Sequence, residues 1–501
     1  MPKHLLAIDQ GTTGSTALVI AEDGATLGRA TVEFPQHFPK PGWVEHDAED
    51  IWKSVEASVT RAIASSRASQ TDIAGIGITN QRETTLVWDR KTGAPIHRAI
   101  VWQCRRTADV CDALKRDGHA PKILARTGLV IDAYFSGTKV AWILDHVSGA
   151  RARAEAGELA FGTIDSFLIH RLSGGAAHVT DVTNASRTLL LDLSTLAWDD
   201  EMLALFHVPR AVLPKVVSSA EIVAETRGLS FLRDGIPIAG IAGDQQAALF
   251  GQACFRPGET KCTYGTGAFA LMNIGQKPVW SKSGLLTTVA WRIPSAQTGA
   301  PETTYALEGS SFIAGAAVQW LRDGLGLIKS AAEVEALARK VESSDGVVFV
   351  PALSGLGAPY WDQGARGTIV GITRGTTAAH LARATLEGIA FSVYDLLEAM
   401  TKDADRPLTQ LRVDGGAAKN DLLMELEADI ARVRIERPFD VESTGRGAAM
   451  LAGVGLGLFT QDAAKKLLTI ERAFDPRMSS AVREEHLTRW HDAIARARSH
   501  T

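Results

Sequence analysis

The chain has 501 residues, 45% hydrophobic and 22% charged, with a formal net charge of -4. That length exceeds what one hydrophobic core supports, so about two domains are expected. High apolar content with little net charge excludes a disordered chain, and the charge balance gives no basis for binding nucleic acid or an acidic membrane surface.

Leu5 to Ile8 reads as an apolar strand running into the polar glycine turn Asp9-Gln10-Gly11-Thr12-Thr13-Gly14-Ser15. Ala17 to Ile20 is apolar again, and the turn Glu22-Asp23-Gly24 leads to a third strand toward Phe34. This is a β-meander rather than a βαβ unit. Met1 to Ile8 reaches Asp9 before any stretch long enough for an export signal, so a cytoplasmic protein is expected. Pro39 to Asp47 (Pro-Lys-Pro-Gly-Trp-Val-Glu-His-Asp) reads as an exposed loop, with regular structure resuming at Ile51. Strand-like Ile73 to Thr79 ends in the polar cluster Asn80-Gln81-Arg82-Glu83-Thr84-Thr85.

Further on, apolar Ile236 to Gly243 delivers Asp244-Gln245-Gln246 to a helix over Ala247 to Gly251. The polar segment Gln252 to Lys261 is the expected boundary between halves 1–252 and 253–501. Thr260 to Thr263, the turn Tyr264-Gly265-Thr266-Gly267 and Phe269 to Ile274 repeat the opening hairpin, which suggests a duplicated plan. Leu386, Ile389, Val393, Leu396 and Met400 follow a helical stripe, as do Leu422, Leu423, Leu426, Ile430 and Val433. Strand-like Leu411 to Val413 precedes the second stripe through Asp414-Gly415-Gly416-Ala417. Gly447 to Phe459, the longest apolar run, falls short of the roughly 20 residues of a membrane span and reads as a buried, close-packed helix. Cys104, Cys111, Cys254 and Cys262 form no C-x-x-C pair, so thiols are expected rather than a zinc site or a disulfide framework.

Glycine turns let backbone N–H groups approach phosphate oxygens with no Cβ in the way, and neighbouring hydroxyls add donors. Three occur here, at Gly11 to Gly14, Gly265 to Gly267 and Gly415-Gly416. Each alone fits plain hairpin geometry; together with Asp9 at a strand end they point to a nucleotide held between two halves. There is no Gly-Lys dipeptide for a Walker A loop, and no G-x-G-x-x-G, G-x-S-x-G or H-E-x-x-H. Asp244 reads either as a helix N-cap or as a base that takes the proton of an attacking hydroxyl. Arg82 beside Glu83 is either a solvated turn or a donor and acceptor pair for vicinal hydroxyls. Trp102, Tyr134 and Phe269 are either packing residues or an aromatic wall over the carbon face of a polyol.

These segments together resemble the FGGY carbohydrate kinase family, and within it the glycerol kinases. The resemblance runs through Asp9 to Thr13, Pro39 to Asp47, Gly77 to Thr85, Val101 to Arg106, Gly128 to Asp132, Tyr134 to Lys139, Gly240 to Gln246, Tyr264 to Gly267 and Val413 to Gly416, fading after about Ile470. It implies an α/β fold of two ribonuclease-H-like, actin-like ATPase domains around a central cleft, with a polyol- and phosphate-binding domain at 1–252 and a nucleotide-binding domain at 253–501. The implied reaction is transfer of a phosphoryl group from ATP to glycerol, giving sn-glycerol 3-phosphate, with Mg²⁺ as cofactor, in the first step of glycerol utilisation. Asp244 becomes the general base. Arg82, Glu83, Trp102, Tyr134, Asp244, Gln245 and Phe269 contact the polyol. Thr12, Thr13, Gly14, Thr266, Gly315, Gln319, Gly416 and Asn420 bind the nucleotide. Asp9 holds Mg²⁺ through water, with Asp244 also at the metal.

A homo-oligomer, dimer or tetramer, is the implied assembly. Another polyol or ketose kinase of the family, or a non-catalytic actin-like ATPase scaffold, are the alternatives. Two features depart from the family pattern. The first loop usually continues Thr-Thr-Ser-Ser-Arg, whereas here it is Thr12-Thr13-Gly14-Ser15-Thr16, without a basic side chain. Glu225 to Ile236 replaces the arginine-bearing loop that binds fructose 1,6-bisphosphate in some bacterial relatives, and the region around Pro476 differs from their phosphocarrier-binding segment. Neither the inhibition nor the phosphocarrier partner is expected to carry over.

Overall fold

β1 (His4–Gln10), β2 (Gly14–Ile20) and β3 (Thr26–Glu33) form the expected meander. The computed structural model describes residues 4–439 and 442–499. β1 pairs antiparallel with β2, and β2 with β3, while the other edge of β1 takes parallel β4 (Ile73–Asn80). β5 (Ala220–Glu225) closes the far edge, antiparallel to β6 (Pro237–Gly243), which runs parallel beside β4. The sheet order is therefore β5-β6-β4-β1-β2-β3. Leu5 to Ile8 is buried on both faces, which is why β1 is apolar without alternation. α1 (Ala48–Ser66), capped by the Asp47 side chain, packs over β2 and β3. α2 (Asp244–Gly251) follows β6 directly.

The second sheet repeats this plan. β7 (Glu259–Tyr264) and β8 (Ala268–Gly275) make a hairpin, and an added strand, β9 (Leu286–Pro294), edges β10 (Pro301–Ser311), which pairs antiparallel with β8. β11 (Gln410–Asp414) and β12 (Ile435–Pro438) continue parallel from β7, and β13 (Ile470–Phe474) ends the sheet antiparallel. In both sheets a meander is followed by two parallel strands and an antiparallel edge, the ribonuclease-H-like arrangement. α3 (Gly315–Asp323), α4 (Ala378–Ala404) and α5 (Asp421–Ala431) belong to this half, and the stripe Leu386 to Met400 of α4 lies in its core. Val433, the last residue of the second expected stripe, lies beyond the end of α5.

α6 (Ser443–Gly455) comes from the second half of the chain yet covers the first sheet, with Ala448, Ala449 and Ala452 against Leu5, Ala7, Leu18 and Ile20. It begins before the expected apolar run and stops before its end, leaving Leu458 half exposed. Its glycines permit backbone contact: a Cβ on Gly447 would stand 1.8 Å from the Ala247 carbonyl oxygen of α2. Gly447→Ala must push the two helices apart, at a cost of at least about 1–3 kcal/mol, seen as a lower melting temperature.

Pro39 to Asp47 is exposed only at its start. Glu45 and His46 are buried, pair with Ala99–Ile100, and Glu45 Oε1 accepts a 2.6 Å bond from Arg106 Nη2, because the segment docks as a short strand. The polar stretch Gln252 to Lys261 is largely buried too, with Gln252 Nε2 donating to Asp414 Oδ2 at 2.9 Å across the two halves. All four cysteines are buried and free, and burial pushes the Cys111 and Cys254 thiols up to about 12. Among the described residues, no helix is long and apolar enough to cross a membrane.

Candidate active site

β4 and β6 lie side by side and end at the same level, so the chain leaving β4 (Arg82, Glu83) meets the start of α2 (Asp244). Gly243 allows this approach: a Cβ there would lie 2.6 Å from Arg82 Cγ and Cδ. Gly243 is the N-cap, and Asp244 is the first helical residue. The N-cap reading of Asp244 is therefore displaced by one residue, which leaves its carboxylate one-third exposed, accepting from the Gln245 N–H at 2.7 Å and facing Arg82 Nε at 3.2 Å.

Arg82 and Glu83 are not a solvated turn, since both are almost fully buried. Arg82 Nη1 donates to Glu308 Oε2 at 2.5 Å and Gln246 Oε1 at 3.2 Å, and Nη2 donates to Glu308 Oε1 at 2.9 Å and the Tyr134 hydroxyl at 3.4 Å. These four bonds from Nη1 and Nη2 fix the guanidinium as a platform beside Asp244, whose carboxylate stands against Nε as an ion pair. Arg187 joins from a separate loop, donating through Nε to Glu83 Oε1 at 2.6 Å and through Nη2 to Glu308 Oε1 at 3.1 Å. Burial alone would raise the Glu308 carboxyl, but Arg187 and Arg82 override it and hold it at about 2. Arg187 Nη1 is buried without a partner, a donor that a water or a substrate hydroxyl can satisfy. Glu83 adopts a left-handed backbone at φ 60, strained for a residue with a side chain.

Trp102 and Tyr134 meet edge to face with ring centroids 5.6 Å apart, and Trp102 Nε1 donates to Thr12 Oγ1 at 2.9 Å. This aromatic pair is thus tied to the first glycine turn. Phe269 lies on the same face of the second sheet as Glu308, because Leu271, two residues on, is the cross-strand partner of Glu308. Gln245 accepts a hydrogen bond from the buried Lys261 ammonium, which also donates to Thr263 Oγ1 at 2.9 Å.

Asp9, partly buried at the end of β1, is pushed up to about 8, first by burial and then by the Asp244 and Glu442 carboxylates, with Arg29 opposing. Two acidic groups that repel each other in a partly desolvated site match the oxygen-donor set of a hard divalent cation. In the second half, Thr266 is exposed in a turn whose carbonyls accept from the Ala314, Gly315 and Ala316 N–H groups at 2.8–3.1 Å, bringing Thr266 to the start of α3. Gly315 must lack a Cβ, which would lie 2.5 Å from the Gly265 oxygen. Gln319 is exposed one turn along α3. Gly415, at φ 87, packs onto Tyr264, while Gly416 has open space and leads to Asn420, the N-cap of α5. Thr13 is exposed and Gly14 borders β3 so closely that a Cβ would lie 2.9 Å from the Val32 oxygen.

Sequence reasoning missed Glu308, Arg187, Gln246 and Lys261. A single acid inside apolar Tyr305-Ala306-Leu307-Glu308 was the available signal for the first. The profile of the FGGY family of carbohydrate kinases, N-terminal domain, matches residues 4–251, and that of its C-terminal domain matches residues 260–456. A glycerol kinase of Myxococcus xanthus is 57% identical over 496 residues, covering 99% of each chain. One of Bordetella parapertussis is 55% identical, covering 98% of this chain and 96% of its own. The crystal structure of Plasmodium falciparum glycerol kinase with ADP is 36% identical and superimposes with a TM-score of 0.92 over 99% of this chain and 98% of that one. With two sheets of one plan and matches to both domains, the chain belongs to the FGGY family of carbohydrate kinases.

Proposed function

We propose that this protein is a glycerol kinase, transferring the terminal phosphoryl group of ATP to glycerol to give sn-glycerol 3-phosphate. The observation that carries the reading is the Asp244 carboxylate, one-third exposed at the rim of an otherwise sealed charged cluster and held 3.2 Å from Arg82 Nε. A polyol hydroxyl placed there loses its proton to Asp244 as its oxygen bonds to phosphorus, the bridging P–O bond breaks, and ADP departs with the electron pair. Glu83, Arg82, Tyr134 and Gln245 would hold the other hydroxyls, and Trp102 and Phe269 would cover the carbon face. Thr12, Thr13 and Gly14 would meet the phosphates, with Thr266, Gly315, Gln319, Gly416 and Asn420 along the rest of the nucleotide.

Asp9, through water, and Asp244 are the residues that would hold Mg²⁺. When bound, the ion supplies charge neutralisation on the phosphate oxygens. Residues 1–252 then serve polyol and phosphate, and residues 253–501 the nucleotide. Glycerol and ATP are the proposed partners, in a cytoplasmic homo-oligomer without a phosphocarrier partner.

Incubating purified protein with Mg-ATP and separate polyols and pentuloses tests the assignment. Glycerol 3-phosphate is expected as the main product, and turnover of a pentulose without glycerol would assign a ketose kinase instead. ATP-dependent filaments without polyol turnover would favour the scaffold reading.

A further inference from the structure

Phosphoryl transfer needs positive charge at the phosphates, yet the first glycine loop ends in Thr16. Thr16 is the cross-strand partner of Asp9 on one side and of Thr31 on the other, and its hydroxyl lies 2.9 Å from the Thr31 hydroxyl. The position at which the family pattern has arginine is therefore occupied by two short, mutually bonded side chains.

Arg29 stands two residues from Thr31 on β3, so its side chain leaves the same face of the sheet as Thr31, Thr16 and Asp9. Arg29 and Thr16 are diagonal neighbours on adjacent strands, a separation of about 7–8 Å that an arginine side chain spans. Leu18, the cross-strand partner of Arg29, lies under the first turn of α6: a Cβ on Gly445 would stand 2.5 Å from Leu18 Cδ1 and 4.0 Å from Asp9 Cβ. Arg29 Nη2 is 2.7 Å from Oε1 of Glu442, the residue preceding α6, and its side chain is 50% exposed, so it is free to exchange that carboxylate for another anion.

We propose that Arg29 supplies the positive charge that Thr16 does not, leaving Glu442 when nucleotide enters and pairing with the terminal phosphate of ATP. This rests on the phosphoryl-transfer reading of the cleft and adds to it a residue from outside the glycine loop. A guanidinium suits the role because it forms two parallel bonds to phosphate oxygens and stays charged at any working pH.

The test is equilibrium titration of ATP and of ADP, each with Mg²⁺, into wild type, Arg29→Ala, Arg29→Lys and the double variant Arg29→Ala/Thr16→Arg, alongside steady-state kinetics. Arg29→Ala is expected to weaken ATP at least tenfold and ADP less than threefold, with a matching rise in the KM for ATP. The KM for glycerol and the ligand-free melting temperature should stay unchanged, since a half-exposed ion pair adds little stability. Arg29→Lys should fall between, and Thr16→Arg should recover most of the lost ATP affinity. Equal losses for ATP and ADP, ATP affinity within twofold of wild type in Arg29→Ala, or no recovery in the double variant would each overturn the proposal. Because binding is read without turnover, a wild type that binds ATP but leaves glycerol unphosphorylated would count against the substrate assignment and not against Arg29.

Discussion

Asp244→Asn is expected to lower kcat by about 10²–10⁴-fold while leaving ADP affinity within about twofold of wild type. Asparagine keeps the shape and can still accept from the Gln245 N–H, but it cannot take a proton from a hydroxyl. The fold should tolerate the change, because Asp244 is one-third exposed and Arg82 keeps its paired bonds to Glu308 and its bonds to Gln246 and Tyr134. Stopped-flow or coupled-assay kinetics with an ADP titration separate the two effects. Full turnover in this variant would remove Asp244 from the base role, and a collapse in melting temperature would mean that its carboxylate serves the cluster rather than the chemistry.

The parts of this molecule that the sequence makes visible are those whose physics is local. The Gly11 to Gly14 and Gly265 to Gly267 hairpins announce themselves through turn chemistry, and the α4 stripe through its spacing. Asp244 is visible because an apolar strand ends just before it. What stays hidden depends on pairing between distant segments. Glu308 is one acid in an apolar strand, and nothing near it in the chain shows that two arginines, 226 and 121 residues away, will neutralise it. Arg187 and Lys261 are hidden for the same reason, since isolated cations in a sequence look like surface. The Arg82-Glu83 pair misleads in the opposite sense: adjacent opposite charges suggest solvent, but each finds its main partner elsewhere, Arg82 in Glu308 and Glu83 in Arg187. α6 shows a third limit, because its residues belong by sequence to one half and by packing to the other sheet.

Glu308→Gln follows from that buried network and should be the most destabilising of the conservative changes considered. Glu308 is the anion shared by Arg82 and Arg187 and the tie between the second sheet and the buried charged cluster. Removing its charge leaves two buried guanidiniums to Glu83 and Asp244, and breaking a buried pair in this way costs about 3–5 kcal/mol. The same contacts set the carboxyl's titration: a fall from 4.5 to about 2 on folding corresponds to about 3 kcal/mol of stabilisation. The sign follows from a depressed pKa, so this contribution is complete above the unfolded value of 4.5 and disappears as pH falls toward 2. Melting curves of wild type and Glu308→Gln should therefore differ most at neutral pH and converge in acid. In kinetics the variant should raise the KM for glycerol more than the KM for ATP, because Arg82 loses the paired acceptor that aims it past Asp244. A variant that melts with wild type at neutral pH would show that Glu83 and Asp244 suffice for both arginines, and would remove Glu308 from the architecture of the site.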